Sequence, residues 1–250
     1  MFNLTIFKNA FDNKTHRRQE LKSWSSFVSL LESLSEKGGN KGGINSSPLI
    51  SPAVYIENST RSNRNVMCWG AWCALDVDDL RVDDTVKNTV DKYCGKYRYV
   101  CYSTASSTEE RPKFRIVFPL TEKILGHDIQ HFWFAINKET GEIGDKQTKD
   151  LSRMYYVPAI YPNAYNFFFT NEGETIDPIK MMDSWQFQRT SNNSFLDKLP
   201  VVMREQLIEY RKQHAENTDI TWSSYRDCPF FPKKLAQEYM AINGTGWYHK

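Results

Sequence analysis

The 250-residue sequence has no uninterrupted apolar run of the length that crosses a membrane, and no apolar stretch follows a basic start at the N-terminus. Neither a membrane partner nor a secretion signal is therefore predicted. A strong charge bias is also lacking, because 32 basic and 30 acidic residues leave a net charge of +2. Total charge this small does not by itself indicate a nucleic-acid partner, since only clustered basic residues create a strong local field.

Cysteine is scarce and its spacing is uninformative, with no CxxC pair and no Cys/His arrangement of the kind that binds zinc. The five cysteines are Cys68, Cys73, Cys94, Cys101 and Cys228. An odd number in apolar surroundings predicts reduced core thiols in a cytoplasmic protein. A Gly-x-x-x-x-Gly-Lys-[Ser/Thr] loop is missing as well, which excludes an ATPase motor in this stretch.

What is present indicates a folded globular protein, with 25% charged and 14% aromatic residues. Adjacent strand pairs and few strand-helix repeats predict an α+β fold with a mixed or antiparallel sheet. Predicted strands lie near 2–8, 51–66, 69–78, 98–104, 114–120, 154–160 and 163–169, and predicted helices near 23–36, 83–96, 126–139 and 199–216. The glycine-rich segment 37–48 fits a flexible connector better than a phosphate-binding loop.

A first polar cluster ends the apolar segment WGAWCALDVDD at 69–79. On a strand, Asp76 and Asp78 point to the same face and stand roughly 7 Å apart at the backbone, close enough to share hard cations. A bound Mg²⁺ or Mn²⁺ would relieve their mutual repulsion. The alternative is a solvated turn, with Asp79 and Asp83 at the entry of the next helix.

A second cluster spans 102–120, where hydroxyl residues precede a predicted strand that carries Lys113 and Arg115 on one face. Its hydroxyl residues are Ser103, Thr104, Ser106, Ser107 and Thr108. Hydroxyls beside cations suit a triphosphate, for which arginine offers a bidentate fork. A Ser/Thr-rich hairpin loop with exposed basic residues is the alternative.

A third cluster spans 144–158, where Asp145 and Asp150 precede Arg153 at the start of an aromatic strand. An arginine in such a place needs an anionic partner, either a ligand phosphate or a protein carboxylate. An Asp150–Arg153 ion pair is the structural alternative.

Together the three clusters resemble the archaeo-eukaryotic primase superfamily, in particular the N-terminal primase-polymerase domains of phage, plasmid and mobile-element replication proteins. DVDD matches the family's metal-binding strand end. The family pattern D-x-x-T-x-[DE]-x-S-R-x-x-Y matches Asp145, Thr148, Asp150, Ser152, Arg153 and Tyr156. The middle cluster keeps Pro112, Lys113 and Arg115 but has Ala105 and Ser107 where relatives carry histidines. The resemblance covers roughly residues 50–170.

The resemblance implies an RRM-like α+β domain that transfers nucleotides on a single-stranded DNA template, as a metal-dependent DNA primase or polymerase. Its Mg²⁺ or Mn²⁺ ligands and catalytic residues would be Asp76, Asp78 and Asp145. Its contacts to nucleoside triphosphates would be Ser103, Ser106, Ser107, Lys113, Arg115 and Arg153. Template contacts are predicted at Arg61 and Arg64, while Trp69 and Trp72 fit the core better.

The expected domains are a catalytic domain at 1–182, a linker at 183–198 and a helical segment at 199–250 that leads toward a helicase domain or subunit. Two other functions stay open. The missing histidines favour a catalytically weakened or inactive module that binds DNA or initiates replication. Paired carboxylates serve a metal-dependent nuclease equally well.

Overall fold

A computed structural model describes residues 1–187. The predicted helical segment 199–250 and the predicted linker beyond residue 187 lie outside the described residues. The strands are β1 Phe2–Phe7, β2 Arg18–Leu21, β3 Leu49–Ser51, β4 Ala53–Tyr55, β5 Val66–Trp69, β6 Trp72–Val77, β7 Tyr99–Ser103, β8 Phe114–Pro119, β9 Ile124–Leu125, β10 Tyr155–Tyr156 and β11 Phe168–Asn171. The α-helices are α1 Trp24–Ser35, α2 Val86–Cys94, α3 Ile129–Glu139 and α4 Pro178–Ser184, and short 3-10 turns occupy Asn63–Asn65 and Lys146–Thr148.

These strands form three antiparallel sheets with the orders β10-β3-β1-β2, β11-β7-β8-β6 and β4-β5-β9. The second sheet carries the predicted site residues, and we call it the central sheet. In it β8 lies between β6 and β7 and is antiparallel to both, while α2 connects β6 to β7. This is a split β-α-β unit. The predicted α+β fold class is confirmed.

The two faces of the central sheet pack against different layers. Alternate residues of β6 explain this, because Cys73, Leu75 and Val77 lie in one core cluster while Trp72 and Ala74 lie in the other. The first cluster contains residues of α2 and α3, and the second contains residues of β1 and α1. Asp76 continues the Trp72 and Ala74 face, and therefore lies on the side of the sheet opposite α2 and α3.

Helix boundaries follow local capping chemistry. The hydroxyl of Ser23 accepts a hydrogen bond from the Ser26 N–H at 3.1 Å, and Thr85 does the same for the Asn88 N–H. The predicted helices at 23–36, 83–96 and 126–139 correspond to α1, α2 and α3. Sequence patterns did not indicate β2, β9 and α4, which are short elements with little periodicity.

Among residues 1–187, no helix is both long and apolar enough to cross a membrane. The four cysteines of this part are free thiols and all are buried. Burial raises the pKa of Cys94 to about 12 and moves the pKa of Cys73 and Cys101 further above the ordinary thiol value. These thiols are therefore packing groups, as the sequence predicts, and Cys228 lies outside the described residues.

Candidate functional site

An open cleft of about 350 Å³ brings parts of the three sequence clusters together. Its charged and hydroxyl-bearing lining residues are Lys41, Arg61, Asp76, Asp78, Ser103, Thr104, Ser106, Arg115, Asp150, Arg153, Tyr156 and Tyr161. Four lining side chains are basic and three are acidic. The predicted Arg64 lies elsewhere, exposed in the 3-10 turn at 63–65, and Trp69 and Trp72 are fully buried in the core.

The base of the cleft is a buried ion pair between Asp76 on β6 and Arg115 on β8. The two residues are direct partners in the strand register. Arg115 Nε donates to Asp76 Oδ1 at 2.7 Å, and Arg115 Nη2 lies 2.5 Å from the same oxygen. Both residues are only 7% exposed, so each charge depends on the other for compensation.

Aromatic side chains surround the Arg115 guanidinium. The carbon of that group lies 4.5 Å from the ring centre of Tyr155 and 5.5 Å from that of Tyr102, and Nη1 donates to the Tyr156 carbonyl at 2.9 Å. Burial by itself lowers the pKa of Arg115, but attraction to Asp76 and contacts with Tyr102 outweigh it, and the pKa is raised. Arg115 is therefore a permanent, fully engaged cation.

The other carboxylates of DVDD face the basic residues that precede β8. Asp78 Oδ1 lies 3.7 Å from Lys113 Nζ, and Asp79 hydrogen-bonds Arg111. Because β6 and β8 run antiparallel and Asp76 pairs with Arg115 in the register, the acidic residues that follow β6 lie beside the basic residues that precede β8. The positive charge that the paired carboxylates require is thus supplied in part by the second sequence cluster.

Arg153 joins the third cluster to this centre. Its Nη2 lies 3.5 Å from Asp76 Oδ2, and its Nη1 lies 3.7 Å from Asp150 Oδ1. Arg153 therefore contacts two protein carboxylates at once, Asp76 and the Asp150 that the sequence offers as its structural partner. The Nε atoms of Arg153 and Arg61 are buried without a hydrogen-bond partner, and both residues line the cleft. These arginines retain donor capacity toward an anion.

Asp145 approaches the other carboxylates through its backbone. Its N–H donates to the Asp76 carbonyl at 2.8 Å, whereas its carboxylate accepts the Gln147 N–H at 2.9 Å and caps the 3-10 turn. Asp145 and Asp78 line a neighbouring cleft of about 440 Å³, to which Asp76 does not contribute. Asp78 therefore belongs to both clefts, and the structure does not bring the three predicted metal ligands together around one point.

Gly144 explains how the Asp145 backbone comes so close to β6. A Cβ added at this position would lie 2.6 Å from Asn137 Oδ1 and 3.2 Å from a methyl group of Leu75. The Gly144 N–H instead donates to Asn137 Oδ1 at 2.8 Å. The missing side chain thus allows the loop to pack directly against α3 and β6.

The predicted serines divide into two groups. Ser103 and Ser106 line the cleft, although the Ser103 hydroxyl also accepts the Phe167 N–H at 3.1 Å. Ser107 is 1% exposed, and its hydroxyl accepts the Lys113 N–H at 3.0 Å. Ser107 therefore fixes the loop that leads into β8, at the position where relatives carry a histidine.

Lys41 lines the cleft but was not indicated by the sequence, whereas Tyr156, which also lines it, belongs to the family pattern. Lys41 lies in the glycine-rich segment 37–48, for which the sequence predicts a flexible connector. Next to Lys41, the Gly42 N–H donates to the Tyr156 hydroxyl at 3.2 Å. This contact, 114 residues apart in sequence, is what places the segment beside the cleft. In the sequence, the many lysines and glycines of segment 37–48 are the signal that could have indicated its place beside the cleft.

The carboxylates of the cleft offer two ligands to a divalent cation. Within residues 1–187 no group of three or more His, Cys, Asp or Glu side chains is placed to hold a metal ion. Asp76 and Asp78 nevertheless line one cleft together, and Asp76 Oδ2 has only the 3.5 Å contact with Arg153. Mg²⁺ is commonly held by one or two carboxylates together with substrate phosphates. Two carboxylates here fit that pattern, without Asp145.

Comparison with known proteins places the chain in a family. Residues 53–193, more than half of the chain, match the family described as the VapE N-terminal domain. The chain belongs to this family. Membership confirms the primase-polymerase-like domain of replication proteins that the motifs predicted, and the matched segment of this VapE N-terminal domain contains all three polar clusters. A comparison with curated proteins gave no match.

Two solved structures show a distant likeness to this VapE N-terminal domain. One is the primase-polymerase AEP domain of cyanophage S-2L, at 11% identity and a TM-score of 0.40 over 72% of this chain and 86% of that one. The other is the primase RepB′, at 11% identity and a TM-score of 0.34 over 98% of this chain and 77% of that one. Similarity at this level says nothing about the chemistry of the cleft.

Proposed function

We propose that the cleft binds a nucleoside triphosphate and transfers its nucleotide to a growing chain on a single-stranded DNA template, with Mg²⁺ or Mn²⁺ as cofactor. The observation that carries this proposal is the shared lining of the cleft. Asp76 and Asp78 lie in it together with Arg61, Arg153 and Lys41. Carboxylates for a cation and basic groups for phosphates, in one concave site, are what phosphoryl-type chemistry requires.

The electrostatic balance of the cleft supports a substrate that brings both a cation and a highly charged anion. Arg115 compensates much of the charge of Asp76, so the further charge that the cleft offers a ligand comes from Asp78 and from the basic groups of Arg61, Arg153 and Lys41. A triphosphate carries several negative charges, which these three basic side chains match. Asp78, 42% exposed at its side chain, is the carboxylate most accessible to a metal-bound substrate.

Each side chain then has a definite task. Asp76 and Asp78 would hold the divalent cation, which when bound lowers the pKa of a 3′-hydroxyl and offsets charge on the leaving pyrophosphate. Arg153 and Arg61 would donate their unpartnered N–H groups to phosphate oxygens. Ser106 adds a hydroxyl at the mouth. Arg115 does not reach the substrate in this scheme but holds the Asp76 carboxylate in one orientation.

A non-catalytic DNA-binding module is the second candidate. It is favoured by the ion pairs that engage Asp76, Asp78 and Asp79 with Arg115, Lys113 and Arg111. The side chain of Asp145, turned to its own 3-10 turn, favours it as well. In such a module the acidic strand end would stabilise the fold and no bond would be made.

Template-dependent incorporation separates the two candidates. The full chain is incubated with a single-stranded template, labelled nucleotides and Mn²⁺ or Mg²⁺, with chelator as the matched control. Products that extend with time and disappear on chelation support the transferase. A chain that binds the template but incorporates nothing with either metal supports the binding module, and metal-dependent shortening of the template supports a nuclease.

A further inference from the structure

The aromatic side chain most exposed in the described part of the chain is Phe11, at 74%. Trp69 and Trp72 are completely buried in the core, as the sequence predicts, and cannot stack on a base. A single exposed apolar residue is common on protein surfaces and means little alone. The position of Phe11 is what distinguishes it, because its neighbour Ala10 lines the cleft.

The turn that carries Phe11 is held by a dense set of hydrogen bonds. Asn9 Oδ1 accepts the N–H groups of Phe11 and Asp12, each at 3.0 Å. The Asp12 carboxylate accepts the N–H groups of Lys8 at 2.9 Å and Lys14 at 3.0 Å. An aromatic ring presented on a braced backbone loses little conformational freedom when it binds a partner.

The same turn is connected on both sides to basic parts of the cleft rim. Asn9 Nδ2 donates to the Ile44 carbonyl of the glycine-rich segment at 3.0 Å, and the Arg61 N–H donates to the Asn13 carbonyl at 2.9 Å. Ala10, Lys41 and Arg61 all line the cleft. Phe11 therefore projects from a rim formed by three segments, at 8–14, 40–44 and 60–64, which we call the Phe11 rim.

The charge of the Phe11 rim is almost entirely positive. Its basic residues are Lys8, Lys14, Lys41, Arg61 and Arg64. The carboxylate within it, Asp12, is neutralised by Arg17, whose Nη1 lies 2.9 Å from Oδ2. A basic surface with an exposed aromatic ring is the combination by which proteins bind single-stranded nucleic acid, since cations follow the phosphates while bases stack on the ring.

We propose that the Phe11 rim binds the single-stranded DNA that enters the cleft, with one base stacked on the Phe11 ring and the adjoining phosphates near the exposed Lys8, Lys14 and Arg64. The choice of DNA as the nucleic acid rests on the proposed function. Stacking on Phe11 does not require that the cleft be catalytic. The rim binds a strand in the same way if the domain is a binding module.

Fluorescence anisotropy with a labelled oligothymidine strand tests this proposal on the full chain. We expect Phe11→Ala to weaken binding by about 5- to 160-fold, the range for losing one stacked base, and Phe11→Trp to keep wild-type affinity. Ile179→Ala is the matched control, because Ile179 is 52% exposed on α4, which packs with α3 on the far side of the central sheet. The Ile179→Ala protein should bind the strand with wild-type affinity.

A strand of abasic units isolates the stacking contribution, because it keeps the phosphates and removes the bases. Wild type and Phe11→Ala should bind this strand equally. Equal affinity of both proteins for oligothymidine, or the same loss on both strands, would overturn the proposal. If Phe11→Ala weakens binding while the wild type incorporates no nucleotide, the Phe11 rim stands and the transferase proposal fails.

Discussion

Arg115 lies directly opposite Asp76 on the neighbouring strand, and the two form a buried ion pair with 2.5 Å between Nη2 and Oδ1. This pair lies near the end of β6 and the start of β8, where the sheet face changes from packed core to the base of a polar cleft. Trp72 and Ala74 precede Asp76 on the same face and are in the core, so the change occurs within two residues.

Removing one partner of this pair should be costly, because the other charge stays buried. Arg115→Met and Asp76→Leu should each lower the free energy of unfolding by about 3–5 kcal/mol. The double variant should recover much of that loss, since neither charge remains. Denaturant unfolding followed by tryptophan fluorescence measures all three. Additive losses in the double variant would show that the two charges do not depend on one another.

Gly144→Ala should destabilise the protein by about 1–3 kcal/mol, because the new methyl group overlaps Asn137 and Leu75. Gly38→Ala is its control, since a Cβ at Gly38 meets nothing within 4 Å and the backbone there has no positive φ. The melting temperatures of the two variants are compared with wild type. A Gly144→Ala protein as stable as Gly38→Ala would mean that the loop before Asp145 packs more loosely than described.

Ser106 and Ser107 are adjacent but should respond differently to replacement by alanine. Ser107→Ala leaves the Lys113 N–H, which donates a part-buried hydrogen bond, without its acceptor and should cost about 1–3 kcal/mol of stability. Ser106→Ala should leave stability unchanged and raise the KM for nucleotide. Thermal unfolding and steady-state incorporation are measured on both. If Ser107→Ala instead raised the KM for nucleotide without lowering stability, Ser107 would be a substrate contact, and this would contradict its role in holding the loop.

The thiols of the described residues should be inert in the folded state. Burial raises the pKa of Cys73, Cys94 and Cys101, so the reactive thiolate is scarce at pH 8 and becomes available only after unfolding. A Cys228→Ser protein removes the cysteine outside the described part. In it, a thiol reagent should react slowly under native conditions and rapidly in denaturant. Rapid labelling of Cys73 or Cys101 in the native protein would contradict their burial.

The sequence predicted β6, β7 and β8 of the central sheet, which are apolar runs, and the helices α1, α2 and α3, which have clear periodicity. The fourth strand, β11, is short and partly exposed, and it lies at 168–171 instead of the predicted 163–169.

Alternation along a strand paired Asp76 with Asp78 and Lys113 with Arg115. The resemblance to the primase superfamily, and not the alternation, is what joined these residues to Arg153. The sequence indicated Arg61 and Arg64 of the Phe11 rim but not Lys41 or Phe11. Their place depends on contacts such as Gly42 to Tyr156, between segments far apart in sequence.

The side chains of Asp145 and Ser107 do not lie where the sequence predicts, and the physical reason is the same for both. The spacing of a motif predicts where the backbone of each residue lies, and the backbones of both residues do lie beside the cleft. The spacing does not predict the direction of their side chains. Local hydrogen bonds decide that direction, to Gln147 for Asp145 and to Lys113 for Ser107.

Nucleotide incorporation by Asp78→Asn and Asp79→Asn, measured side by side, tests the central claim that the cleft holds the reacting triphosphate. The two carboxylates are neighbours, and both are exposed enough that replacement should not disturb folding, but only Asp78 lines the cleft. We expect Asp78→Asn to reduce incorporation on the order of a hundred-fold and Asp79→Asn to stay near wild type. Equal activity of the two variants would contradict the account.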